Sequence, residues 1–413
     1  MAKIGSGLLA ALDIGTTKVV CFIARVTPAG ELEVLGIGHQ LSQGISAGVI
    51  TDIKSVETCI LATVNAAEQM AGANIDRVFV NVTGSKLNSR VLHVEVPING
   101  NQISARDINR LVNVGVNECL QEGRTIIHCI PIDFLIDGEG GIQSPQGMVG
   151  NHLGVKLHLL SVSSTALLNT THCLARCHLD IEDFIVAPYA SGLSCLTRDE
   201  KDLGVTLIDL GGGNTSFAMF RSGKIVYADS IPLGGIHITK DIAYGLATDI
   251  ANAERIKTLY GNTISTSADE QEMVDVPTME DEGEFYSIPR SVLINIIRPR
   301  IEEILEMVNA RIKAHGAEDV VGGRLVLTGG GSNLLGIKEL AAAIFNKQVR
   351  IASPVYIEGL AESTRGAGFS TCVGMLKYAL EKVGKDTFVP TKNEETGSKK
   401  YYGRVLHWLR ENF

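Results

Sequence analysis

No stretch of this 413-residue chain approaches the roughly 18 consecutive apolar residues of a membrane-spanning helix. The run Leu8–Leu12 is too short for the core of a secretory signal and leads straight into Asp13. Positive charge is also in short supply. With 37 Lys and Arg against 46 Asp and Glu, the formal net charge is −9, and the pI is near 5.6. A phosphate-backbone binder needs a basic face, so nucleic acid is not an expected partner. The glycine-lysine-serine/threonine signature of a P-loop is missing as well. The eight cysteines are scattered through predicted strands and helices. Without a secretion signal they are expected as reduced thiols packed like small apolar groups. Cys173 and Cys177 share a predicted helical face between His172 and His178, so a metal site is geometrically available. No second pair with finger-like spacing lies nearby, and core packing is the expectation.

What is present is an ordinary globular composition, 45% apolar and 20% charged, ample for two large cores. Two segments about half the chain apart read as copies of one phosphate clamp. They are Leu12-Asp13-Ile14-Gly15-Thr16-Thr17-Lys18 and Ile208-Asp209-Leu210-Gly211-Gly212-Gly213-Asn214. Each is an apolar strand delivering an aspartate to a glycine turn, followed by two more predicted strands. A backbone that approaches a phosphate closely cannot carry side chains at the turn, and consecutive amide N–H groups there form an anion-binding nest. Asp13 and Asp209 are expected to hold Mg²⁺ through water, since magnesium keeps most of its hydration shell. Lys18 is placed to reach a phosphate oxygen, with Thr16, Thr17, Asn214 and Thr215 adding hydroxyl or amide contacts. One such turn fits any hairpin; internal repetition points to two related domains facing a phosphorylated ligand.

Between the clamps, residues 84–161 change character: alternating segments flank one helix, Ala105–Glu122, with Ser104 as its N-cap. They read as a small α/β subdomain inserted into the first domain, with Asp137–Gly154 as a loop. Residues 1–83 and 162–198 make the first domain. Residues 199–365 make the second, with a smaller lobe at about 240–315. Within that lobe the acidic stretch 265–287 predicts an exposed loop or hairpin. Pro289–His315 predicts a long helix that Pro299 kinks or segments. Residues 366–383 close the core, 384–398 read as a flexible linker, and 399–413 stand as a separate unit.

A third glycine turn, Gly329-Gly330-Gly331-Ser332-Asn333, ends another apolar strand and suits an adenosine. Glu254 and Lys257 lie three apart on one helical face, suited to ribose hydroxyls. Standing alone, the first is an ordinary strand-to-helix turn and the second a solvated salt bridge. In this order, with the connecting helix at Pro188–Gly192 and the closing stretch Gly366–Leu376, the motifs resemble the actin, sugar-kinase and heat-shock-chaperone superfamily. The resemblance implies an actin-like two-lobed α/β fold with duplicated ribonuclease-H-like domains, binding ATP with Mg. Within that superfamily the insert and tail resemble the bacterial FtsA family of cell-division proteins, in which the inserted subdomain replaces the usual actin one. One departure stands out. Many superfamily members carry a glutamate or glutamine before the connecting-helix proline, and here that position is Ala187. An alanine cannot orient water, so ATP binding is expected and hydrolysis is expected to be slow or absent, with no catalytic residue assigned.

On a helical projection of the tail, Tyr402, Val405, Leu406, Leu409 and Phe413 share one face, with Arg404 and Arg410 opposite. Trp408, the single tryptophan, sits at the border, where an indole favours the headgroup level. This describes an interfacial helix on anionic lipid, against the alternative of packing on the core or a partner. The resemblance further implies head-to-tail self-assembly, recruitment of other division proteins, and a peripheral position on the cytoplasmic face of the inner membrane at the division site. It implies capture of the C-terminal peptide of the tubulin-like FtsZ by the smaller lobe, where Arg290, Arg298 and Arg300 are the basic residues. Two rival readings stay open here: a small-molecule kinase of the same superfamily and a pilus-assembly actin homologue.

Overall fold

The computed structural model describes residues 7–84, 86–278, 284–316 and 322–386. The first lobe begins with β1 (Leu8–Ile14), β2 (Lys18–Val26), β3 (Leu32–Leu41), the short pair β4 (Ile45–Ser46) and β5 (Val49–Ile50), α1 (Ile53–Ala71) and β6 (Arg77–Val82). The insert follows as β7 (Asn88–Pro97), α2 (Ala105–Glu118), β8 (Arg124–Ile136), β9 (Glu139–Ile142) and β10 (His152–Ser163). The chain returns through α3 (Ser164–Arg176), β11 (Asp180–Val186), α4 (Ala187–Cys195) and α5 (Arg198–Leu203). The second lobe contains β12 (Val205–Leu210), β13 (Thr215–Arg221), β14 (Lys224–Ile231), α6 (Gly235–Gly245), α7 (Ile250–Tyr260), β15 (Met273–Pro277) and β16 (Phe285–Pro289). It ends with α8 (Arg290–Ala314), β17 (Arg324–Thr328), α9 (Ile337–Phe345), β18 (Gln348–Ile351) and the closing α10 (Ser370–Asp386).

The two lobes repeat one topology. In the first sheet, ordered β11-β6-β1-β2-β3, the meander β1–β2–β3 is antiparallel and β1, β6 and β11 run parallel. In the second, ordered β14-β13-β12-β17-β18, the same mixture recurs about β12. The register places Asp13 opposite Val20 and Asp209 opposite Ser216, one residue before each strand ends. Both central strands are apolar and buried on both faces, as a sheet covered on both sides requires.

The insert forms its own four-stranded sheet, ordered β7-β10-β8-β9, with α2 across it. The glycine-rich stretch expected as a loop is partly strand. β9 pairs back onto β8, and β10 begins at His152, because Asp137 turns the chain by accepting the Asn151 and His152 amides. The acidic stretch resolves into the hairpin β15–β16. Across Pro299, α8 stays one helix instead of segmenting. Leu293, Ile294 and Ile297 before the proline and Ile301, Ile304, Leu305 and Val308 after it bury one continuous stripe in the second-lobe core. That burial outweighs the single backbone hydrogen bond a proline removes. Cys173 and Cys177 are buried in the first-lobe core. Helix α10 runs three residues past the expected end of the closing helix, to Asp386.

Candidate functional site

A cleft of about 430 Å³ opens between the lobes, lined by both hairpins and the third glycine turn. This volume lies within the roughly 300–1,000 Å³ of small-molecule sites. Asp13 and Asp209 enter it from opposite sides. Burial pushes the Asp13 carboxyl up to about 7, an effect partly offset by Lys18 and reinforced by the charge of Asp209. Asp209 is raised by burial against the opposing pull of hydrogen bonds from Ser191 and Thr371 and of Lys18. Burial lowers the Lys18 ammonium, while both aspartates act to raise it. Its Nζ sits 3.5 Å from the centre of the Phe369 ring, a cation–π contact.

The two glycine turns meet almost directly. A methyl group on Gly212 would lie 2.3 Å from Thr17 Cγ2, and one on Gly213 would lie 2.4 Å from Thr16 Oγ1. Bare backbone at these positions is what lets the hairpins close. At the third turn, Gly329 has φ +84°, and a Cβ there would fall 2.3 Å from Asp209 Oδ1. Both its conformation and its neighbour demand glycine. Lys257 Nζ donates to Glu254 Oε2 at 2.6 Å and to Thr239 Oγ1 at 2.8 Å, at the edge of the cleft.

Most residues expected from the motifs line the cleft: Asp13, Gly15, Thr16, Thr17, Lys18, Asp209, Gly211, Gly212, Gly213, Asn214, Glu254, Lys257, Gly329, Gly330, Gly331 and Asn333. Thr215 and Ser332 do not. Thr215 is fully buried as the first residue of β13, and the Ser332 hydroxyl turns back to donate to Gly329 O at 2.7 Å. Sequence reasoning missed Asn81, Ser191 and Thr371. Asn81 Oδ1 accepts the Ile14 amide at 2.7 Å, bracing the first turn. A polar residue inside the buried run Val78–Val82 was a visible signal. Ser191 and Thr371 carry no local signature.

Ala187 lines the cleft with a methyl group. Asp183, the nearest upstream carboxylate, is bound by Lys382 at 2.7 Å and by the Tyr378 hydroxyl at 3.2 Å. Of the three arginines, Arg290 pairs with Glu272 and Asp269, Arg298 with Glu302, and Arg300 with Asp241 and Glu303. Each already has an internal carboxylate partner. The residues expected to meet lipid, Tyr402, Arg404, Val405, Leu406, Trp408, Leu409, Arg410 and Phe413, lie outside the described residues.

The residues present fit a magnesium nucleotide. Asn214 Oδ1 is buried without a protein partner among the described residues, and two carboxylates offer the hard oxygens magnesium prefers. Asp13 and Asp209 would hold the metal through its waters, Lys18 would meet a phosphate, and Glu254 and Lys257 would meet the ribose. The bound ion would supply charge neutralisation at the phosphates.

A family model described as "Cell division protein FtsA" matches residues 206–374, and one described as "SHS2 domain inserted in FTSA" matches residues 84–161. The cell division protein FtsA of Rhizobium meliloti is 40% identical over 99% of this chain and 95% of its own length. Among solved structures, the PilM–PilN type IV pilus biogenesis complex aligns with a TM-score of 0.66 at 15% identity, covering 90% of this chain and 98% of that one. MreB 5 of Spiroplasma citri bound to AMPPNP aligns with a TM-score of 0.57 at 14% identity, covering 92% and 98%. At such identities the structural likeness speaks to fold, and the fold is actin-like and two-lobed.

Proposed function

The chain belongs to the family of the bacterial cell division protein FtsA, and from that membership we propose that it binds MgATP in the interlobe cleft, polymerises on the cytoplasmic membrane and anchors FtsZ filaments there. Recruitment of later division proteins completes the reading. The observation that carries the nucleotide part is the pair of carboxylate hairpins, one from each lobe, lining one cleft with Lys18. ATP serves as a conformational ligand more than a fuel. A ligand gripped by both lobes favours the closed arrangement by its differential affinity, and the methyl of Ala187 gives an attacking water no base.

The membrane part rests on the amphipathic pattern of residues 399–413. Co-sedimentation with anionic vesicles, with and without those residues, tests it. The full chain is expected to pellet and the truncated chain to stay in solution; equal pelleting would defeat the anchor. Polymerisation is tested by imaging the protein with MgATP on an anionic lipid monolayer, where bare lipid under all nucleotide conditions would remove the filament.

An acidic FtsZ tail peptide would have to displace carboxylates already paired with Arg290, Arg298 and Arg300. Of the three, Arg298 has the most exposed side chain, at 48%. Arg298→Ala is therefore expected to weaken the peptide more than Arg290→Ala does, read by fluorescence anisotropy of a labelled peptide. Nucleotide binding is checked by titrating a fluorescent ATP analogue. Asp209→Asn is expected to lose at least tenfold in affinity in magnesium, the scale of a removed charge-assisted contact.

A further inference from the structure

Asp209 is gripped by two hydroxyls from outside its own hairpin. Ser191, on the second turn of α4, donates from Oγ to Asp209 Oδ2 at 2.6 Å. Thr371, at the start of α10, places its Oγ1 3.3 Å from the same oxygen and 3.0 Å from Ser191 Oγ. Both are buried. A hydroxyl has one proton. That of Ser191 goes to the carboxylate, so the Ser191–Thr371 contact must use the Thr371 proton, shared between Ser191 Oγ and Asp209 Oδ2. Around an ionised carboxylate the two hydroxyl protons thus serve three contacts, both of them directed toward Asp209 Oδ2 or the serine that holds it. Asp209 Oδ1, the oxygen against Gly329, has no protein partner among the described residues.

The donors come from the two helices that join the lobes. Helix α4 leaves β11 of the first lobe and leads through α5 into β12 of the second. Helix α10 follows the second lobe's last strand and packs on β1 and β2 of the first. They cross where a Cβ on Gly374 would lie 1.8 Å from Ala190 O, and Ser194 Oγ ties the crossing by donating to Ser370 O at 2.7 Å. Ser191 and Thr371 follow directly after Ala190 and Ser370.

We infer that Ser191 and Thr371 are positioning residues for Asp209, fixing one carboxylate oxygen from the two joint helices so that the other is presented to the hydrated cation. The inference rests on reading the cleft as a magnesium-nucleotide site. It makes the aim of Asp209 depend on the helix crossing, so that lobe angle and metal binding bias one another. A hydroxyl pair that merely satisfied its own buried polar atoms would have no effect specific to magnesium.

The test uses the full chain and its Ser191→Ala, Thr371→Val and Thr371→Ser variants. Affinity for a fluorescent ATP analogue is measured in EDTA and in Mg²⁺, together with thermal melting in EDTA. The expected result is an affinity within about twofold of wild type in EDTA. The gain conferred by magnesium is expected to fall about tenfold in Ser191→Ala, the scale of a lost hydrogen bond to a charged group. A smaller fall is expected in Thr371→Val, with recovery in Thr371→Ser. Wild-type magnesium gains in both deletion variants, or equal losses with and without magnesium, would overturn the inference. Should Ser191→Ala fail to fold, the Thr371 pair decides by the same criterion. A wild-type chain that binds the analogue without responding to magnesium would instead overturn the reading of the cleft itself.

Discussion

At the scale of single residues, the cleft concentrates the costs of buried charge. Asp13 and Asp209 are both buried and both raised by that burial. The sign is direct. A carboxyl whose folded pKa, about 7 for Asp13, lies above its ordinary 3.8 destabilises the ligand-free fold increasingly as pH rises through that window. Asp13→Asn is therefore expected to melt no lower than wild type at pH 8 without ligand, while losing magnesium-dependent nucleotide affinity. Differential scanning fluorimetry and the same titration read the two effects. Gly329 should be intolerant for the opposite reason. Alanine there meets both a left-handed backbone and Asp209 Oδ1, so Gly329→Ala is expected to lose about 1–3 kcal/mol of stability in urea unfolding. Asp13 and Asp209 were legible in the sequence because a strand, an acid and a glycine turn are local and occur twice. Ser191 and Thr371 were not legible, since only the crossing of two helices 180 residues apart brings them to one carboxylate.

Among elements, the strands and their hairpins follow from alternation and turn residues, and these the sequence displays openly. The long helix α8 was legible, but not that it would run unsegmented through Pro299: a proline argues locally for a break, and the stripe Leu293–Val308 argues against one only once its neighbours are in place. The joint between the insert and the second lobe was hidden likewise. His158 on β10 is wholly buried, with Nδ1 3.0 Å from Ile225 O and Nε2 2.7 Å from Ser89 Oγ. A carbonyl can only accept, so Nδ1 carries the proton and Nε2 accepts from the serine. His128 on β8 is neutral too, its Nε2 accepting the Val186 amide at 3.2 Å. Burial depresses both rings to about 4. The unfolded chain therefore takes up protons below about pH 6.5 that the fold refuses, and stability falls from there toward pH 4. At pH 5 each ring is expected to cost about 2 kcal/mol relative to pH 7.5. Between the two pH values, the change in stability read from urea unfolding should lose about one ring's share in His158→Asn, with the His128 share left in place.

For the molecule as a whole, the insert touches both lobes, rooted in the first and pinned to β14 of the second through His158 and through Lys224 Nζ, which donates to Ile132 O. The joint helices add a second connection, and its tightest point is Gly374. Gly374→Val is expected to push α4 and α10 apart and lower the melting temperature by several degrees, corresponding to about 1–3 kcal/mol of overpacking. The two-lobed plan was legible from the repeat, but the contact of Gly212 and Gly213 with Thr17 and Thr16 was not. That contact also bears on kinetics. With the hairpin tips touching, the cleft is closed on that side, so exchange of a polyphosphate there would require the halves to swing apart. On the proposed nucleotide reading, the dwell time of the ligand would then work as a clock for that swing, and any contact that steadies the halves would lengthen it.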